Sequence, residues 1–158
     1  VDNRAVVPKS RNSEGLAHYE RGQYDLAIAD FDKAIESNPA YAAAYSNRGL
    51  SYLHKGEYDL AVGDLARAIE LDPKNAVSHH NLGFAHNQKG KWDLAIPALS
   101  KALELDPQYA RAYLDRALSS IGKGQTSSAI DDLNRALKFS RDPAVAVMAQ
   151  EKLWQLLK

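Results

Sequence analysis

A period of 34 residues runs through this chain and constrains its fold more than any single motif does. Gly15, Gly49 and Gly83 lie 34 apart, with Ala117 in the fourth place. Gly22, Gly56, Gly90 and Gly124 keep the same step, and so do Pro39, Pro73 and Pro107. Ala27, Ala61, Ala95 and Ala129 repeat on it, as do Ala34, Ala68, Ala102 and Ala136. Four repeats result, at 8–41, 42–75, 76–109 and 110–143, with an N-terminal extension at 1–7 and a final segment at 144–158.

Each repeat reads as a helical hairpin. The second glycine follows Arg21, Lys55, Lys89 or Lys123, the pattern of a helix end with glycine in the left-handed position just beyond it. Asp25, Asp59 and Asp93 come three residues later, where a carboxylate suits the positive end of the next helix. That second helix must stop at the N-P or D-P pair, because proline cannot continue it and restrains the residue before it. Within it, Ala27, Phe31, Ala34 and Ile35 and their equivalents form one apolar stripe at spacings of three and four. Small residues at 15, 49, 83 and 117 let the two helix backbones approach closely.

Comparison of the repeats predicts specific contacts. Arg48 and Arg116 are each followed 16 residues later by an aspartate, Asp64 and Asp132, whereas Leu82 is followed by Ala98, so each arginine should pair across its own hairpin. Glu14 and Asp30 do not fit this scheme. Pro97, early in a second helix, should forfeit one hydrogen bond and bend the helix slightly. The fourth repeat departs from the pattern at Thr126-Ser127-Ser128. Asp142-Pro143 then suits the start of a capping helix at 144–157, with Val145, Met148, Ala149, Leu153 and Leu156 covering the last hairpin and Trp154 off the stripe.

Several chemistries are excluded. Twenty basic residues balance twenty acidic ones with signs interspersed, which offers nothing to draw in a nucleic-acid backbone. There is no cysteine, hence no disulfide frame or thiolate nucleophile. No apolar run approaches a membrane span, and residues 1–20 lack the pattern of a signal peptide. A soluble chain is expected, with the cytoplasm favoured although no residue fixes the compartment. His79 and His80 are adjacent, so on a helix they point about 100° apart, and no histidine pair here has the three- or four-residue spacing that would chelate a metal. No nucleophile elbow or glycine-rich phosphate loop is present, so no catalytic residue, metal or cofactor is expected and the chain is read as non-enzymatic. Gly63 and Gly122 are the two glycines that hairpin geometry leaves unexplained.

Leu82-Gly83, Trp92, Ala95, Leu99, Ala102 and Pro107, with their equivalents in the other repeats, resemble the tetratricopeptide repeat family over 8–143. The resemblance implies an all-α, right-handed superhelix of four hairpins plus a C-terminal cap, with first helices lining a concave groove. It also implies that His18, His79 and His86 stand where the family packs a ring between helices. In the first two repeats the groove positions include Asn12, Leu16, Tyr19, Asn47, Leu50 and His54. In the third they include Val77, His80, Asn81 and Phe84, with Asn87 and Gln88, and in the fourth Arg111, Leu114, Asp115 and Leu118. Asn47 and Asn81 occupy a place where the family's asparagines often grip the backbone of a bound peptide; the alternative is that they bond within the solenoid. Family members that bind acidic chaperone tails need asparagine where Leu16 and Leu50 stand and lysine where Val77 stands, which disfavours such a ligand. The expected function is a protein-interaction scaffold taking an extended or helical peptide in its groove. The alternative is a structural module that forms homo-oligomers through the groove or the cap.

Overall fold

The computed structural model describes residues 3–158. Its regular elements, among the described residues, are all α-helices. In chain order they are α1 (Asn3–Glu20), α2 (Tyr24–Ser37), α3 (Ala42–Lys55), α4 (Tyr58–Leu71), α5 (Ala76–Gln88), α6 (Trp92–Leu105), α7 (Ala110–Gly122), α8 (Thr126–Phe139) and α9 (Pro143–Leu156). They gather into two compact units, Val1–Lys74 and Asn75–Lys158. The first contains two helical hairpins; the second contains two hairpins and α9. Helix α1 already begins at Asn3, inside the stretch expected to be an extension, of which residues 1 and 2 lie outside the described residues.

The turns follow from the residues at them. Gly22, Gly56, Gly90 and Gly124 have φ between 65° and 76°, the left-handed region that a side chain makes costly. At the first of the longer breaks, Asn38 Oδ1 accepts from Ala40 N at 3.0 Å; Asp106 Oδ1 accepts from Gln108 N at 3.0 Å in the same way. The side-chain oxygen so takes the first N–H available beyond the proline, which has none of its own to donate. Proline 97 sits within α6, and its helix runs on to Leu105.

Close packing of hairpins depends on small residues. A Cβ on Gly83 would stand 2.5 Å from Leu99 Cγ, and one on Gly15 2.5 Å from the Phe31 ring. Phe31, Leu65, Leu99 and Leu133 are fully buried, as are the repeated alanines of the same helices. The arginine pairs form as the repeat comparison predicts. Arg48 donates to both carboxylate oxygens of Asp64 at 2.6 and 2.7 Å, and Arg116 to those of Asp132 at 2.8 Å. Each arginine also reaches backwards, Arg48 to Asp32 at 2.5 Å and Arg116 to Ser100 at 2.9 Å.

Asp142 caps α9, its Oδ1 accepting from Ala144 N at 2.9 Å, and Pro143 takes the first turn. Val145 and Ala149 are buried and Leu153 and Leu156 half-buried against the hairpin before them. Met148 is a correction: it is exposed, because the packed line runs at steps of four, 145 to 149 to 153, and leaves position 148 on its edge.

His18, His79 and His86 are half-buried. His86 Nδ1 is buried without a hydrogen-bond partner. Burial, and then the charges of Lys91 and Lys89, hold the His86 pKa below its ordinary value. The unfolded chain therefore binds a proton that the folded chain resists, so this residue's contribution is intact above about pH 6.5 and is lost as pH falls through that value. We expect the urea midpoint to drop between pH 7.5 and 5.5, and to drop less in His86→Tyr, which restores the ring found at Tyr52. Equal slopes for the two proteins would remove His86 as the cause.

Candidate interaction surface

The positions expected to face a groove lie on α1 and α3 in the first unit and on α5 and α7 in the second. Their polar members bond to one another across neighbouring helices. In the first unit Asn47 Nδ2 donates to Asn12 Oδ1 at 2.9 Å, and Tyr19 Oη meets His54 Nε2 at 2.6 Å. His54, though exposed, stacks on Tyr24 with centroids 5.1 Å apart. In the second unit His80 Nε2 meets Asp115 Oδ2 at 2.7 Å. These three bridges share one spacing, 35 residues, because that step carries the chain to the facing place on the next first helix.

The His80–Asp115 bridge anchors a buried network. Tyr109 Oη and Asn81 Oδ1 lie 3.1 and 3.2 Å from His80 Nδ1, and Arg111 Nε lies 3.4 Å from Asp115 Oδ2. Asn87 donates to the Asp115 carbonyl at 2.8 Å and accepts from Ser119 Oγ at 2.6 Å. Burial, reinforced by the Asp115 charge, pushes the Tyr109 phenol up to about 12, so it stays protonated through neutral pH.

This geometry corrects part of the expected surface. Asn12, His80, Asn81 and Asp115 are buried, with their polar atoms engaged inside the protein, and Leu114 has no exposed surface at all. The neighbouring helix lies close enough that a side chain directed between helices finds a protein partner before it finds water. Asn47 is half-buried and already donates to Asn12. Leu16 and Val77 are exposed; Tyr19, Leu50, Phe84, Leu118 and Arg111 are half-buried. The accessible part is therefore mostly apolar.

In the second unit a depression of about 150 Å³ is lined by Phe84, Asn87, Gln88, Trp92, Asp115 and Leu118. Trp92 is a member that reading the sequence by family positions missed, and the available signal was Gly122. A Cβ on Gly122 would enter the Trp92 ring. In the first unit the same registers hold Tyr24 and His54, which stack on each other. With glycine at 122 the Trp92 ring lies against the helix backbone instead of forming such a stack, and the residue is 38% exposed. Among the described residues no group of three or more histidines or carboxylates could hold a metal ion, and no helix is long and apolar enough to cross a membrane.

Paired helices on a 34-residue step, tied by bridges between first helices, define a helical-hairpin repeat protein. Tetratricopeptide repeat models match residues 12–76 and 76–109, and the chain belongs to the tetratricopeptide repeat family. Solved structures share the fold. That of Pseudomonas aeruginosa pilF has a TM-score of 0.85 at 23% identity, covering 98% of this chain and 71% of that one. The crystal structure of MamA has a TM-score of 0.78 at 26% identity, covering 94% of this chain and 81% of that one. The first tetratricopeptide domain of Spaghetti (RPAP3), solved bound to the HSP90 peptide SRMEEVD, has 0.69 at 23% identity, covering 73% and 90%. No curated protein matches the sequence.

Proposed function

We propose that the chain is a non-enzymatic protein-interaction scaffold that receives a peptide segment of a partner, extended or helical, against the first helices of its hairpins. The carrying observation is the depression in the second unit, where Phe84, Leu118 and the partly exposed Trp92 gather beside Asn87 and Gln88. Such a surface suits an apolar side chain of the partner, with amides at the edge to orient it. With Asn81 buried and Asn47 bonded to Asn12, apolar anchoring rather than asparagine contacts to the peptide backbone carries recognition in this reading. Leu16 and Leu50 supply the corresponding apolar positions in the first unit.

The test uses peptides selected on the protein from a phage-displayed random library, with affinity read by fluorescence anisotropy. Phe84→Ser, and separately Gly122→His, whose first side-chain atom must push the Trp92 ring out of its place, should each weaken binding about tenfold or more, the scale of one buried aromatic contact. Asn81→Ala should instead lower the melting temperature, since it removes a partner from the buried His80 network. Unchanged affinity in both surface variants would refute this placement of the site. Self-association is the second reading, favoured by the exposed Val147 and Trp154 of α9 and by Leu157 just after it. Light scattering over a range of concentrations separates the two, because a strictly monomeric chain removes self-association.

A further inference from the structure

Arg48 and Arg116 stand 68 residues apart at one register, yet their surroundings differ in charge and in bulk. Around Arg48 the chain places Asp32, Glu57 and Asp64, and the Tyr52 phenol lies within electrostatic reach of all four. Sixty-eight residues on, Asp32 is replaced by Ser100, Glu57 by Gln125, Tyr52 by Ser120 and Leu60 by Ser128. Glu70, which pairs with Arg67 at 2.8 Å, is replaced by Lys138, while Arg67 itself persists as Arg135. One carboxylate is gained, the exposed Asp131 in place of Gly63.

The loss of bulk is peculiar to the fourth repeat. The register of Ser120 carries a ring in the other three, His18, Tyr52 and His86, and that of Ser128 carries Leu26, Leu60 and Leu94. A cavity of about 410 Å³ lies here among α6, α7 and α8. Ser100, Ser120, Ser128 and Gln125 line it together with Arg116 and Arg135; Ile96, Asp131 and Asp132 complete the wall. Its size falls within the range of small-molecule sites.

Arg116 and Arg135 have weaker acceptors here than their counterparts have. Arg116 Nη1, whose counterpart on Arg48 meets a carboxylate, donates here to Ser100 Oγ at 2.9 Å. That oxygen accepts, so the Ser100 hydroxyl keeps its own hydrogen to donate. Arg135 lies over the Tyr113 ring and donates to its phenol at 3.5 Å, where Arg67 has the Glu70 carboxylate. Asp132 and Arg116 neutralise each other in their bidentate pair, which leaves Arg135 as the cation of this wall, and Asp131 is exposed, where its charge is screened. Arg135, the one Arg116 nitrogen that Asp132 leaves to Ser100, three hydroxyls and an amide thus line one space from three helices, at the register where the other hairpin pair places the Asp32 carboxylate. Planar guanidinium groups suit oxyanions, and donors arriving from several directions suit a tetrahedral one better than a flat carboxylate.

We propose that this cavity binds a phosphate group, free or ester-linked to a small molecule, with Arg116, Arg135, Ser100 and Ser120 as its principal donors. The site is separate from the depression on α5 and α7 and stands whether or not peptides bind there.

The test is a titration of the isotope-labelled full chain, followed by amide chemical shifts, with inorganic phosphate and with glycerol phosphate separately, at constant ionic strength set by chloride. Saturable shifts are expected at residues 100, 116, 120 and 128. Two variants copy the other hairpin pair and should therefore fold: Ser100→Asp, which supplies the carboxylate that Asp32 supplies, and Ser120→Tyr, which fills the space as Tyr52 does. Each should weaken binding about tenfold or more, the scale of one charge-assisted hydrogen bond. Saturable binding of either probe that both variants lose supports the site, and the tighter probe tells whether the ligand is the free ion or an ester. Absence of saturation in the native chain, or native affinity retained in either variant, overturns it. Should one variant fail to fold, the other decides.

Discussion

Arg48→Met is expected to destabilise the protein by about 3 kcal/mol, the lower end of what breaking a buried ion pair costs. The penalty comes from what is left behind. Asp64 is 8% exposed and has both carboxylate oxygens on Arg48, so without the arginine a buried charge loses its partners. Asp32, the other partner, is far more exposed and regains water when freed. The chain itself supplies the repair, because the same two places in the third repeat hold Leu82 and Ala98. Arg48→Leu combined with Asp64→Ala should recover most of the loss, since an apolar pair of fitting shape often equals a buried ion pair in stability. Urea unfolding of the single and double variants measures both statements. A single variant within about 1 kcal/mol of the native chain would class the pair with ordinary surface bridges.

A comparable loss, about 3 kcal/mol, is expected for Gly83→Val, while Gly83→Ala should stay within about 1 kcal/mol. The first atom added at Gly83 meets Leu99 Cγ at 2.5 Å and Cδ2 at 2.9 Å, with the Ala95 carbonyl at 3.2 Å behind them. Leu99 is fully buried and has little room to retreat. Alanine is nevertheless tolerated at this register, as Ala117 against Leu133 shows, both with no exposed surface. Helix propensity also favours alanine over glycine by about 1 kcal/mol, which offsets the crowding. Valine adds two branches where neither the leucine nor the carbonyl can move, so the hairpin must open. Thermal melting followed by circular dichroism reads the effect. Leu99→Ala in the valine background should restore part of the loss, and a further drop instead would show that crowding against Leu99 is not the cause.

The hairpins and their registers were legible because they rest on local rules. Glycine in the left-handed turn, proline after an Asx residue and aspartate at a helix start each act within a few residues. Arg48 with Asp64 and Arg116 with Asp132 were also legible, since two repeats carry the pair and a third replaces both members together. The interaction face was legible only in part. A helix register tells which way His80 or Asn81 points but not how near the next helix lies, and that distance decides between a ligand contact and an internal bond. Leu114 was misplaced for the same reason. Trp92 and the cavity beside Arg116 show a different difficulty. Their signals, Gly122 and the serines at 120 and 128, are small residues where other repeats carry larger ones, and an absence of bulk acquires meaning only once its neighbours are known.

The backward reach of Arg48 has a consequence for how the first unit opens. One guanidinium on α3 holds carboxylates on both α2 and α4, so neither hairpin can separate without giving up an ion pair that belongs to its neighbour. In a repeat protein, where stability is roughly a sum of intrinsic and nearest-neighbour terms, such a side chain moves free energy from the first kind to the second. The smallest piece that unfolds as one should then be the pair of hairpins rather than the single repeat, with the slowest amides of α2 and α4 exchanging hydrogen at a common rate.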